Sequence, residues 1–185
     1  MDWPANPFWD YSVELYRRPG VEAACIELQR RHGLDVNLVL LCCWLASRGV
    51  ELDPAALREA RHAVASWQAE VVRLLRALRQ RLKARLADPE PRSVVERWPG
   101  LAAALRERAL TMEIDGERLA QLGLCRAVEG LPQSAPPGVA LAGVNLRRYW
   151  QFDGRDRHAL RTLLGAAFPA AAAGELEAGL DWLGS

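Results

Sequence analysis

The sequence has few of the signals that mark β-structure. No Asn-Gly or Asp-Gly pair lies between two alternating apolar runs, which is the usual pattern of a tight β-hairpin. Apolar residues recur instead at spacings of three and four along most of the chain. The sequence therefore predicts an all-α protein.

Residues that hold metals and cofactors are also scarce. There are three histidines and four cysteines among 185 residues, and there is no Cys-x-x-Cys pair, so we do not expect a structural zinc site. The phosphate-binding loop, the dinucleotide-binding glycines, the Gly-x-Ser-x-Gly elbow and the His-Glu-x-x-His motif are all missing. We expect no metal and no cofactor, and the interpretation leans away from an enzyme, although these absences exclude only the classes that use those motifs.

Long apolar runs are missing as well. The longest, Val36 to Ala46, is too short to cross a bilayer. The N-terminus lacks the basic and apolar regions of a signal peptide. The net charge of +1 does not by itself indicate nucleic acid or a membrane as a partner. We therefore expect a cytoplasmic protein with reduced thiols and no membrane partner.

Capping residues and apolar spacing predict where the helices lie. The predicted helices cover residues 8–17, 21–32, 36–48, 54–86, 99–129, 156–168 and 172–183, and Asn145 is predicted to cap a short turn. The fold class is thus a helical bundle of five or more helices, two of them long, with a C-terminal helical segment. Three prolines and two glycines mark residues 131–144 as a linker. This linker separates a bundle at residues 6–130 from a C-terminal segment at residues 145–185, which we expect to pack on the bundle.

The apolar pattern also predicts which helix faces are buried. Helix 36–48 is apolar on all sides, which is typical of the centre of a bundle. Each long helix carries one apolar row, and we expect the two long helices to pack along these rows. The row of the first is Val64, Trp67, Val71, Leu74 and Leu78, and the row of the second is Leu101, Leu105, Ala109, Met112, Leu119 and Leu122.

Polar and aromatic residues of the first three helices would suit a small-molecule pocket. They are Tyr11, Tyr16, Cys25, Gln29, Asn37 and Trp44. Polar groups among aromatic side chains orient ligands in such pockets. The simpler interpretation is that the cysteine acts as a small hydrophobic residue and that Asn37 satisfies nearby backbone groups. A small-molecule-binding protein or enzyme with this pocket is one alternative for the function.

A basic row on the first long helix is a candidate interaction surface. It consists of Arg73, Arg76, Arg79 and Lys83, and no acidic residue lies between positions 73 and 85. Such a row can meet phosphate groups or an acidic protein surface, or can simply be a solvated helix face. Reversing the charges of Arg76, Arg79 and Lys83 is predicted to leave folding intact and to abolish binding. RNA is a second alternative as ligand, but interleaved aromatic residues for base stacking are missing, so nucleic acid is not favoured.

Tryptophan is the one abundant aromatic residue. There are seven tryptophans against three phenylalanines and three tyrosines. Trp44 and Trp67 lie in apolar patterns and are predicted to be core residues. Trp3 and Trp9 lie near the start of the chain, and Trp150 and Trp182 lie in the C-terminal segment. Tryptophan together with arginine is typical of protein interfaces. The leading hypothesis is therefore a non-enzymatic protein-interaction or regulatory protein, and a homodimer is expected if the apolar row of the first long helix is exposed.

The first 46 residues contain strings that resemble one protein family. The strings are Phe8-Trp9-Asp10-Tyr11-Ser12, Pro19-Gly20-Val21, Asp35-Val36-Asn37-Leu38 and Cys43-Trp44-Leu45-Ala46. They resemble a mostly proteobacterial family of unknown function, and the likeness extends to residue 130. The resemblance implies a small cytoplasmic bacterial protein, and it assigns no activity, substrate or functional residue.

Overall fold

The computed structural model describes residues 2–183, apart from the side chain of Trp182. No strand is formed within these residues, so the predicted all-α fold class is confirmed. The helices are α1 (Pro7–Tyr16), α2 (Val21–His32), α3 (Val36–Ser47), α4 (Pro54–Trp67), α5 (Arg73–Ala87), α6 (Val94–Arg97), α7 (Pro99–Ala127), α8 (Val139–Tyr149), α9 (Arg157–Ala167) and α10 (Ala173–Leu183). A π-helical turn, Gln68–Val72, joins α4 to α5, and a 3-10 turn, Gly154–Asp156, precedes α9. None of the described helices is both long enough and apolar enough to span a membrane.

The chain divides into two compact units. The first, here called the core unit, comprises residues up to Arg61 and from Gln121 onward. The second, here called the hairpin unit, comprises His62–Ala120. The unit boundaries therefore fall inside α4 and α7, and not in the segment 131–144 that the sequence marks as a linker.

Helix α3 is the centre of the core unit. Ten of its twelve residues are buried, which confirms the prediction from its apolar composition. Its first turn is stabilised by Asp35, whose carboxylate accepts a hydrogen bond from the Asn37 backbone N–H at 2.9 Å. Helices α1, α2, α8 and α9 all pack against it. The other helices of the core unit thus remove every side of α3 from water, as an all-apolar helix requires.

Asn145 does not cap a turn, and this prediction is wrong. The residue lies inside α8 and its side chain is completely buried. Its amide oxygen accepts a hydrogen bond from the Leu52 N–H at 2.8 Å, and its amide nitrogen donates to the carbonyl oxygens of Val50 at 3.1 Å and Cys42 at 3.3 Å. Val50 and Leu52 lie in the segment that follows α3, where backbone groups have no helical partners, and the Asn145 amide satisfies them away from water.

The hairpin unit is built from two antiparallel helices, α5 and the part of α7 up to Ala120. The contacts show that the two segments are antiparallel, because a residue nearer the N-terminus of the first segment contacts a residue nearer the C-terminus of the second. The Trp67 indole N–H, just before the π-helical turn, donates to the Gly116 carbonyl oxygen at 2.8 Å, and further along Arg76 contacts Glu113. A side chain at Gly116 would place its Cβ 3.3 Å from Val72 Cγ2, so glycine permits the close approach of the two helices.

Candidate protein-interaction site

The inner side of the hairpin unit is charged. Arg76 donates from Nε to Glu113 at 2.9 Å and from a terminal nitrogen to Glu117 at 2.6 Å. Arg79 donates to both oxygens of Glu113. A third contact, from Gln68 Nε2 to the second oxygen of Glu117 at 2.9 Å, extends the network towards the π-helical turn. These groups join α5 to α7 by ionic hydrogen bonds, beside the apolar side chains of Val72 and Leu75 that lie next to Gly116.

Glu113 is the centre of this network, and only 6% of its surface is exposed. Burial by itself would raise the pKa of its carboxyl, but the hydrogen bonds from Arg79 and Arg76 outweigh that effect and hold the pKa below its usual value. The same contact raises the pKa of the Arg79 guanidinium. Glu113 is therefore ionised in the folded protein. Its negative charge compensates the positive charges of Arg76 and Arg79, which both approach it.

The apolar rows of the two long helices lie mostly on the surface, which corrects the prediction that the helices pack along them. Val64 and Ala109 are buried as expected. By contrast, Leu74 is 64% exposed, Leu101 is 70% exposed and Met112 is 57% exposed. The other members of the rows that are largely exposed are Leu78, Leu105 and Leu119.

The π-helical turn explains the error in the first row. A bond from residue i to i+5 encloses one residue more than an α-helical bond, so the residues beyond it are rotated by about 100° relative to an unbroken helix. Val64 precedes the turn and Leu74 follows it, and they therefore do not lie on one line along the helix. In α7 the helix is regular, but its face with Ala109, Glu113 and Gly116 packs on α5 in place of the apolar row.

Exposed apolar residues occur on both helices, and Leu101, Leu105, Met112 and Leu119 share one face of α7. A depression of about 260 Å³ is lined by Ala63, Trp67, Leu119 and Ala120. Leu119 continues the line of Met112 along α7, so the depression lies at one end of that line. We call the surface apolar residues of the two helices the apolar side, and its members are Trp67, Leu74, Leu78, Leu101, Leu105, Met112 and Leu119.

The predicted basic row is divided by the fold. Arg76 and Arg79 are half-buried and paired with Glu113 and Glu117, while Arg73 and Lys83 are exposed. The positive charge that faces solvent is therefore smaller than the sequence suggests. Arg76 and Arg79 hold the hairpin unit together, and a charge reversal there acts on folding as well as on binding.

We expect Arg79→Glu to destabilise the hairpin unit by about 3 kcal/mol or more, because it places a second carboxylate against the buried Glu113. Lys83→Glu makes the same charge change on the same helix at an exposed position, and little loss of stability is expected. Hydrogen exchange of the amides of α5 and α7 measures the effect unit by unit. Equal protection of these amides in the two variants would contradict the role given to the ion pairs.

The predicted pocket residues lie in the packed interior of the core unit or at its edge. Cys25, Asn37 and Trp44 are buried, and Tyr11, Tyr16 and Gln29 are half-buried. The side chains of Tyr11 and Cys25 both lie near the Cys43 thiol, since each of these two pairs interacts electrostatically. Burial raises the pKa of the Cys25 thiol to about 12, so it is protonated at neutral pH and is a poor nucleophile.

The remaining pocket residues make contacts of a structural kind. Gln121 Nε2 donates to Asn37 Oδ1 at 2.7 Å, and Gln29 Nε2 donates to the Leu34 carbonyl at 3.4 Å. The Trp44 ring lies 5.2 Å from that of Phe8, and the Arg48 guanidinium lies 4.8 Å from the Trp44 ring centre. The Tyr11 hydroxyl is buried and has no hydrogen-bond partner within the described residues.

One polar cluster of the core unit was missed by the sequence analysis. Asp156, predicted to begin a helix, has a fully buried carboxylate that accepts hydrogen bonds from Arg31 at 2.7 Å and His32 Nε2 at 2.9 Å. The His32 ring also lies 5.6 Å from the Trp150 ring. The residues are more than 120 positions apart, so no local spacing indicates the cluster. Among the described residues, no three His, Cys, Asp or Glu side chains are grouped so that they would hold a metal ion.

The fold and its exposed side define an all-α protein with a two-helix hairpin that is apolar on one surface. Residues 7–124 match the profile of the family described as protein of unknown function DUF2390, and since this is more than half of the chain, the protein belongs to that family. The match covers α1 to α6 and nearly all of α7, including the whole hairpin unit. No curated protein and no solved structure matches the chain.

Proposed function

We propose that this protein is a non-enzymatic protein-interaction protein and that the apolar side of the hairpin unit is its binding surface. The observation that carries the proposal is the inverted arrangement of the hairpin unit, in which arginine and glutamate side chains face inward and leucine and methionine side chains face solvent. Large contiguous apolar surfaces on soluble proteins mark interaction sites.

The energetic argument is that the apolar side is costly to leave in water. Burying one leucine or methionine side chain contributes roughly 1.5–3 kcal/mol. Several such residues are exposed on α5 and α7, and Trp67 and Leu119 line a shallow depression, a shape that can accept part of a partner helix. The ion pairs beneath hold α5 and α7 in place, so the surface needs little reorganisation on binding.

Two observations favour a protein over the other ligands. Nucleic acid needs exposed cations beside stacking aromatic rings, whereas Arg76 and Arg79 already have carboxylate partners. A small-molecule pocket among α1–α3 would use Cys25 and Trp44, which contact other protein groups in the interior.

The four cysteines are free thiols, which supports a reducing compartment such as the cytoplasm as the place of action.

Site-specific photo-crosslinking in cells tests the proposed surface. A benzophenone amino acid at position 112, on the apolar side, is expected to give protein adducts. The matched control is position 114, because Ile114 is also apolar and 45% exposed but points away from Met112 on the same helix. Adducts at both positions, or at neither, would contradict the proposal.

A further inference from the structure

The apolar line on α7 repeats with a heptad period. Leu105, Met112 and Leu119 are spaced by seven residues, and all three are exposed. A seven-residue repeat keeps one line of side chains facing a second helix along its whole length. The line thus has the spacing of a helix that packs lengthwise on another helix, as distinct from one that touches a partner at a single point.

Two opposite charges flank Met112 on the same face of α7. Arg108 lies four residues before Met112 and Asp115 lies three residues after it, on the edge of the line. Neither residue has an ion pair within residues 2–183. They are about 10 Å apart along the helix, which is too far for a pair within one chain.

The position of these charges fits a second copy of the same helix in the antiparallel direction. A two-fold axis near Met112 brings Arg108 of each chain opposite Asp115 of the other, and the two contacts are identical by symmetry. A parallel arrangement would bring Arg108 against Arg108 and Asp115 against Asp115, which is unfavourable. The charges therefore fit a second copy, and they favour the antiparallel over the parallel direction.

From this complementarity we infer that the apolar side binds a second copy of the chain, with the two α7 helices antiparallel and with an Arg108–Asp115 pair on each side of Met112. The inference rests on the proposed function, since it names the partner of the same surface. Met112 lies at the centre of the contact, next to the two-fold axis.

Sedimentation equilibrium of the full chain tests the inference. Wild-type protein is expected to be dimeric, and Met112→Glu is expected to raise the dimer dissociation constant at least about a hundredfold by burying a carboxylate in the contact. Ile114→Glu adds the same charge on the opposite face and is expected to leave the constant unchanged. Circular dichroism establishes that each variant is folded.

A charge swap tests the direction of the helices. Arg108→Asp alone and Asp115→Arg alone each set two like charges against each other, and each is expected to weaken the dimer about tenfold. The double variant R108D/D115R is expected to restore it, because the pairs reform with reversed sign. A double variant that is weaker than both single variants would overturn the antiparallel contact. These surface variants also serve if Met112→Glu does not fold.

The failure of this inference can be told from failure of the proposed function. Wild-type protein that stays monomeric up to about 0.1 mM would overturn the dimer. If position 112 still crosslinks to a different protein while position 114 does not, the interaction function stands with another partner. If position 112 gives no adduct at all, both are overturned.

Discussion

Replacing Asp156 with alanine is expected to lower the free energy of unfolding by about 3–5 kcal/mol, because a buried ion pair then loses one partner. The Asp156 carboxylate is fully buried and binds Arg31, His32 and its own capping partner, the Asp153 N–H, at 2.7–2.9 Å. Without it, the donor groups of α2 that face α9 have no acceptor. Urea unfolding at pH 7, followed by circular dichroism, measures the change.

The control for this variant is Asp181→Ala. Asp181 also pairs with an arginine, Arg157, at 2.7 Å, but its side chain is exposed. Exposed pairs contribute little to stability, so this substitution is expected to leave the unfolding midpoint almost unchanged. Equal midpoints for Asp156→Ala and Asp181→Ala would show that the buried cluster does not stabilise the core unit.

The contribution of Asp156 should also depend on pH. Burial alone would raise the pKa of its carboxyl, but hydrogen bonds from the Asp153 N–H, His32 and Arg31 outweigh it and place the pKa below the usual value. A carboxyl with a lower pKa in the folded than in the unfolded state stabilises the protein above about pH 4, and this contribution is lost as the pH falls through the folded value. Asp156→Asn is therefore expected to lose less stability than wild type between about pH 5 and pH 2. If the free energy of unfolding fell equally with pH in Asp156→Asn and in wild type, the prediction would be contradicted.

Asn145→Ala is expected to destabilise the core unit by about 3 kcal/mol or more, because three hydrogen bonds are lost and the backbone groups they satisfied stay buried. These groups are the Leu52 N–H and the carbonyl oxygens of Val50 and Cys42. A cavity of the size of the amide adds to the loss. Thermal unfolding measured by calorimetry reports the change, and hydrogen exchange should show it first at the Leu52 amide.

A surface amide provides the comparison for Asn145. The Gln133 amide nitrogen donates to the Arg48 carbonyl at 2.8 Å, and the residue is exposed. Water can replace that hydrogen bond, so Gln133→Ala is expected to change stability little. If Asn145→Ala were no more destabilising than Gln133→Ala, the buried amide would not be what ties α8 to the segment after α3.

The helices themselves could be predicted because their signals are local. Asn6 and Pro7 begin α1, Asp35 begins α3, and both caps are present with their hydrogen bonds. The burial of α3 was also predictable, since a helix that is apolar all round has only one stable environment in water.

The partners of each helix face could not be predicted, because periodicity identifies a face and not what covers it. Arg76 and Arg79 have the spacing of a solvated row, and only the position of Glu113, more than 30 residues away, makes them an inner face. Asn145 is a frequent capping type, and nothing near it in the sequence reveals that its bonding partners lie more than 90 positions earlier. For the same reason the sequence predicts an inner position for the apolar row of α7, most of which is exposed.

The π-helical turn at Gln68–Val72 has a consequence for how the length of this chain can change. Such a turn accommodates one inserted residue while the helices on either side keep their orientation. A homologue that lacks one residue here would have an unbroken helix and would still present the same two surfaces, the ionic one and the apolar one. The π-helical turn is therefore the place in the hairpin unit where one residue can be inserted or deleted without changing which residues of α5 contact α7.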